Sequence, residues 1–207
     1  MPSILVFTMC TLLWFTAHAR TWFETIDLSN YEAIDRHDKI PAMAKKKALA
    51  YFELYKNQIP NKEYISIFDA SRISSQPRLF LIHMPTGNVE SYLVAHGRGS
   101  DTNHDGYAEK FSNTPNSNAT SLGFYLTENT YYGENGLSLR LKGLEASNSN
   151  AYARAIVIHG ADYVSPKIAT TQNKIGRSFG CPAVEIKHAK ALINKIRAGS
   201  ILYIWHP

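Results

Sequence analysis

The sequence predicts an α+β domain in which strands dominate, with one helix early and one late. Three observations carry that reading. Strand-length apolar segments recur from Tyr64 to the C-terminus. The turn-forming run Pro85-Thr86-Gly87-Asn88 separates two of them. Apolar residues recur at helical spacing in only two places, residues 41–58 and 184–198.

In chain order, the first feature is an almost unbroken apolar run at residues 4–15, interrupted by Thr8 and Thr11. It is short for a membrane-spanning helix. It ends in Ala17-His18-Ala19, an A-x-A pattern before Arg20. We read residues 1–19 as a secretory signal, although its leading segment carries no Lys or Arg. Residues 20–60 then form an N-terminal unit, a loosely tied polar arm followed by a helix. In that helix Pro41 fits the first turn and Ala44, Ala48, Tyr51, Phe52 and Tyr55 form one stripe. Lys45, Lys46 and Lys47 fall on its solvated side.

Residues 61–207 form the main domain. Strands are expected at 64–68, at 78–83 and 89–96 as a hairpin, and at 122–127, 137–144 and 153–159. A long polar segment, 97–121, has the length of a functional loop. The late helix shows Ile186, Ala189, Leu192, Ile193 and Ile196 on one face. Gly199 caps it and residues 201–205 close the domain as a strand.

Composition bounds the function. The chain has 207 residues, 44% hydrophobic and 19% charged, with a formal charge of +5. That excludes a disordered chain and a disulfide-rich miniprotein. The charge suits an anionic partner without selecting one. The basic residues are spread along the chain and form no nucleic-acid recognition motif. Of the two cysteines, Cys10 lies in the signal, so a secreted form keeps only Cys181. A lone thiol in an oxidising compartment is a liability unless buried or used.

Cys181 stands in Gly176-Arg177-Ser178-Phe179-Gly180-Cys181-Pro182-Ala183, just ahead of the late helix. Pro182 suits a first helical turn, which would place the sulfur near a helix N-terminus and favour thiolate. Backbone N–H groups of Gly180 and Cys181 are candidates for an oxyanion hole. A thiolate nucleophile needs a base. His159 ends the apolar run Ala155-Ile156-Val157-Ile158 and precedes Gly160, with a loop long enough to bring Cys181 beside it. On spacing alone, a buried cysteine and a satisfied core histidine explain the pair equally well.

His159-Gly160 followed by Ser178-Phe179-Gly180-Cys181-Pro182 resembles the signature of L,D-transpeptidases with a YkuD-type catalytic domain. Similar stretches include Val94-Ala95-His96-Gly97, Phe111-Ser112-Asn113-Thr114-Pro115 and Ser121-Leu122-Gly123-Phe124-Tyr125, so the resemblance covers most of residues 61–207. It implies a β-sandwich catalytic domain with Cys181 as nucleophile, His159 as base and Ser178 nearby. It implies peptidoglycan stem peptides as substrate, a periplasmic or cell-wall location in a bacterium, at most peripheral contact with the membrane, and no cofactor. The chemistry implied is acyl transfer through a thioester, with release of D-Ala and formation of a 3→3 cross-link. Water as acceptor would give an L,D-carboxypeptidase instead, and a non-catalytic wall binder is the reading from another class. Arg177, Arg154 and His96 are candidate substrate contacts.

The chain departs from the family pattern at Phe179, where His is common, and after Cys181, where a polar residue is common. The group orienting His159 is left as a backbone carbonyl or the Ser178 hydroxyl. Two metal readings fail on spacing. Asp101-Thr102-Asn103-His104-Asp105-Gly106 begins like a calcium loop, but Ser112 stands where the loop needs Glu. The histidines show no zinc-ligand spacing.

Overall fold

A computed structural model describes residues 22–207. The signal reading of residues 1–19 lies outside them. The elements run α1 (Ala42–Tyr55), β1 (Tyr64–Asp69), β2 (Leu79–His83), β3 (Asn88–Tyr92), β4 (Val94–Ala95), β5 (Gly123–Gly133), β6 (Gly136–Gly143), β7 (Val157–Ala161), α2 (Pro166–Gln172), β8 (Ala183–Glu185), α3 (Ile186–Ile196) and β9 (Ile201–Trp205). The mainly β, α+β class read from the sequence is the class observed.

The nine strands form one sheet in the order β3-β2-β1-β9-β5-β6-β7-β8-β4. Its two edge strands are consecutive in the chain. Leu93 alone separates β3, which pairs with β2, from β4, which pairs with β8. The sheet therefore curls until it nearly closes, and layers face each other across one core. The expected strand over 89–96 is real, but it changes partners halfway.

Strand alternation explains why β1 and β9 read as continuous apolar runs. Ile65 and Ile67 of β1 and Ile201, Tyr203 and Trp205 of β9 face an outer core. Phe68 of β1 and Leu202 and Ile204 of β9 face the inner one. Both faces are buried, so no polar face is needed. Each such side chain contributes about 1.5–3 kcal/mol on burial.

The outer core is closed by α1 and the segment before it. Ala44, Ala48 and Phe52 stack at four-residue spacing on the sheet, with Ile34 and Ile40 beside them. The arm is not loosely tied. The Asp35 carboxylate accepts the backbone N–H groups of Lys39 and Ile40, and the Asp35 N–H donates to the Gly87 carbonyl. Lys45 is accordingly not a free solvated charge, since it bridges Asp35 at 3.3 Å and Asp38 at 3.2 Å.

The inner core is plugged by α3, whose Ala189, Leu192, Ile193 and Ile196 pack against Tyr125, Leu139 and Ile158. No helix among the described residues is long and apolar enough to cross a membrane.

Candidate active site

The late helix begins at Ile186, later than its sequence pattern suggests, and this moves Cys181 away from it. Residues Ala183–Glu185 are held extended as β8, parallel to His159–Ala161 and antiparallel to Val94–Ala95. Two ladders outweigh the helical preference of three residues. The Cys181 sulfur is thus not at a helix N-terminus, and no helix dipole lowers its pKa. Burial instead pushes the thiol above its usual range, opposed by the Val157 N–H and the Arg154 guanidinium.

The sulfur faces the start of β7. The Val157 N–H points at Sγ at 3.5 Å, and the Ala155 carbonyl lies 3.7 Å from it. Ala155 carries a left-handed backbone, with φ at 52°, a rare conformation for a residue with a Cβ. That kink ends the turn before β7 in the place where its carbonyl meets the thiol.

His159 stands in the middle of β7, not at its end, because Gly160 and Ala161 continue the ladder opposite Val184 and Glu185. His159 pairs with Ser138 on one side and Ala183 on the other. Cys181 precedes Ala183 by two residues, about 7 Å along an extended chain. The sulfur meets the backbone N–H of Val157, two residues before His159 on the same strand, and the Cys181 side chain packs against the inner core. The ring Nδ1 lies 2.9 Å from the Gly160 carbonyl, so a backbone carbonyl, not Ser178, orients it. Burial lowers the His159 pKa, while the Gly160 contact raises it. The imidazole is therefore neutral near neutral pH and its Nε2 is free of a proton.

Ser178 braces the loop that carries Cys181. Its Oγ donates to the Cys181 carbonyl at 2.7 Å and accepts the Gly180 N–H at 3.1 Å. The Gly180 N–H is thereby committed within the loop. Of the two expected oxyanion donors, the Cys181 N–H is the one without a hydrogen bond among the described residues.

Gly180 adopts φ +120°, and a Cβ there would sit 2.8 Å from the Ala119 carbonyl oxygen. A Cβ on Gly97 would meet the Gly180 Cα at 2.7 Å. These glycines let the segment after β4 run against the Cys181 loop, where Ser178 N–H donates to the His96 carbonyl and Arg98 N–H to the Ser178 carbonyl.

The other expected contacts divide. Arg154 spends its guanidinium on the polar loop, donating to the carbonyls of Ser112 and Ala119 and to the Ser121 hydroxyl. It holds residues 112–121 beside the thiol. Arg177 donates to the Asp101 carbonyl. His96 is 1% exposed, so it cannot reach substrate without rearrangement. Its Nδ1 accepts from Arg78 at 2.8 Å, which leaves Nε2–H to face the Asp101 carboxylate at 3.1 Å. Burial lowers the His96 pKa to about 4, helped by the Arg78 charge and opposed by Asp101. Arg78 is itself fully buried, and burial brings its guanidinium down to about 9 against the pull of Asp69 and Asp101. The expected reach of His96 into the cleft thus gives way to a place in a buried network next to the Cys181 loop. The Asp101 carboxylate also takes the N–H groups of Asp105 and Gly106, so the calcium-like segment folds inward on itself.

A family profile described as the L,D-transpeptidase catalytic domain matches residues 36–205. The chain belongs to that family. The family resemblance read from the sequence is therefore borne out over residues 36–205. Comparison with curated proteins finds no match. Among solved structures, the chain is similar to LdtMt1, an LD transpeptidase in complex with imipenem, at 14% identity and a TM-score of 0.40 over 69% of this chain and 59% of that one. It is similar to an L,D-transpeptidase from Mycobacterium smegmatis at 13% identity and a TM-score of 0.41, over 70% and 59%. It is also similar to the helical cell-shape determining protein Pgp2 of Campylobacter jejuni at 10% identity and a TM-score of 0.40, over 80% and 56%. The chain thus spans about six-tenths of the length of these structures.

In this L,D-transpeptidase-family domain, the sequence pattern missed two things around the thiol. Arg78 is eighteen residues from His96, and no local spacing links them. Helix α2 went unread, although Ser165 caps it by accepting the Ile168 N–H and Pro166 opens it. That Ser-Pro pair was the available signal.

Proposed function

We propose that the protein is a peptidoglycan L,D-transpeptidase that works through a thioester on Cys181. The observation that carries this reading is the meeting of the Cys181 sulfur with the start of β7, the strand that also presents His159. In a family defined by this catalytic domain, the two side chains have a use that neither has as core filling.

The steps follow from the groups present. A stem tetrapeptide binds with its L-centre-to-D-Ala bond over the sulfur. His159 Nε2 takes the thiol proton as Sγ bonds to the carbonyl carbon. The oxyanion that forms is met by the Cys181 N–H. The carbon–nitrogen bond breaks and D-Ala leaves, carrying the proton from His159. An amine of a second stem then loses its proton to His159 and attacks the thioester. The carbon–sulfur bond breaks, the sulfur regains the proton, and a 3→3 cross-link remains.

A thiol raised by burial is not a standing thiolate. Activation therefore depends on the neutral imidazole at the moment of attack, not on a pre-ionised pair. Ser178 acts as a positioning residue, fixing the carbonyl and amide on either side of the sulfur. We place the working protein outside the inner membrane, at the bacterial cell wall.

Mass spectrometry of tetrapeptide stems incubated with the protein tests the reading. A dimer lacking one D-Ala is the expected product, absent with Cys181→Ala. A tripeptide alone would assign an L,D-carboxypeptidase with water as acceptor. No product would leave a wall-binding role.

A further inference from the structure

We infer that Arg98 and Arg140 hold substrate carboxylates on either side of Cys181. The inference rests on the proposed function and adds the chemistry by which the cleft selects its peptide.

Arg98 is tied to the nucleophile loop through its backbone, since its N–H donates to the Ser178 carbonyl at 2.8 Å. Its guanidinium lies over the Phe179 ring at 4.5 Å, and Phe179 is 65% exposed, two residues before the thiol. A large exposed aromatic beside a reactive sulfur contributes nothing to the core. Here it serves as a platform that fixes a cation.

Arg140 occupies the other flank. It stands opposite Val157 in the β6–β7 ladder, and Val157 N–H points at the sulfur. One strand spacing, about 5 Å, separates Arg140 from Val157. Its guanidinium lies 4.4 Å from the Tyr131 ring and 5.7 Å from the ring of Tyr152, which is 63% exposed.

Neither guanidinium has a carboxylate within ion-pair distance or a side-chain hydrogen bond among the described residues. Arg154 and Arg177, by contrast, spend donors on backbone carbonyls. Stacking on a ring fixes a guanidinium while leaving its N–H edges open, the geometry that takes a carboxylate in a bidentate pair. The two arginines are therefore preorganised for anionic groups spaced along a peptide that crosses the thiol. A stem peptide has such groups in its free carboxylates.

The test compares a tetrapeptide stem with free carboxylates and the same stem with those carboxylates amidated. Arg98→Gln and Arg140→Gln are each expected to raise KM for the free stem about tenfold, with kcat little changed. Each loss should shrink to nothing on the amidated stem, and Arg→Lys at either position should recover part of it. Misfolding would weaken both stems alike, so the difference between stems separates recognition from damage. Titration of both stems into Cys181→Ala protein, with and without Arg98→Gln, reads binding without turnover. Binding that needs Arg98 and free carboxylates, while the unmutated protein forms no product from either stem, would uphold the inference and sink the transpeptidase reading. Turnover that ignores both arginines, equal losses on both stems, or no binding of either stem would overturn the inference.

Discussion

His159 Nδ1 lies 2.9 Å from the carbonyl oxygen of Gly160, the next residue on the same strand. A carbonyl only accepts, so Nδ1 carries the proton and Nε2 keeps the lone pair. The ring's tautomer is thereby set by its own backbone, and no carboxylate among the described residues pairs with it.

This arrangement predicts a pH profile. Burial holds the His159 pKa below its ordinary 6.5 and the Cys181 thiol above 9.0. The acid limb of kcat/KM should fall below pH 6.5, where the imidazole takes up its proton and can no longer accept one from the thiol. The rate should then be flat through neutrality. Steady-state kinetics on a stem peptide between pH 5 and 9 checks this. An acid limb above 6.5 would show a protonated resting histidine.

The Cys181 loop depends on a residue without a side chain. Gly180→Ala would place a Cβ 2.8 Å from the Ala119 carbonyl at a φ of +120°. The expected cost is about 1–3 kcal/mol of stability, because the backbone conformation is one that L side chains rarely adopt. Activity should fall further than stability, since the loop must shift to relieve the clash and carries the sulfur with it. Thermal melts alongside stem turnover separate the two losses.

The buried polar network predicts an acid-sensitive fold. The His96 pKa near 4 lies below the value of about 6.5 in an unfolded chain. Between those values the unfolded state binds a proton that the folded state refuses. The stabilising contribution is whole above pH 6.5 and is lost as pH falls towards 4, by about 3 kcal/mol in all. Denaturant melts at pH 7 and pH 4.5 should show the fall, and His96→Asn should reduce it. A slope unchanged by that substitution would place the acid sensitivity elsewhere.

Arg78 is the costliest single side chain to remove in the same network. Its guanidinium donates to the Val94 and Arg72 carbonyls and to His96. Arg78→Met would take that donor from the Val94, Arg72 and His96 acceptors and remove the cation that Asp69 and Asp101 attract. The expected loss is about 3–5 kcal/mol. Chemical denaturation reads it directly.

How much of this was written in the sequence depends on how local the cause is. The segments that carry His159 and Cys181 were legible because short motifs announce both, and the approach of the sulfur to the start of β7 is what the structure adds. The strands β1, β5, β6 and β9 were legible because their apolar runs have strand length. The helix N-terminus at Cys181 was misread because Ala183 and Val184 suit a helix as well as a strand. Only their partners, His159, Gly160, Val94 and Ala95, decide for β8. The tie of Asp35 to Gly87 and the Arg78–His96–Asp101 chain were invisible for the same reason. Each is a contact between segments that no pattern along the chain connects.

The most direct test of the account is intact-protein mass spectrometry of the enzyme quenched in acid during turnover of a tetrapeptide stem. The account predicts an adduct equal to the stem minus D-Ala, located by digestion on Cys181 and released by hydroxylamine. His159→Ala should accumulate little of it, and Cys181→Ala none. Product formation by the Cys181→Ala protein, or an adduct on any other residue, would contradict it.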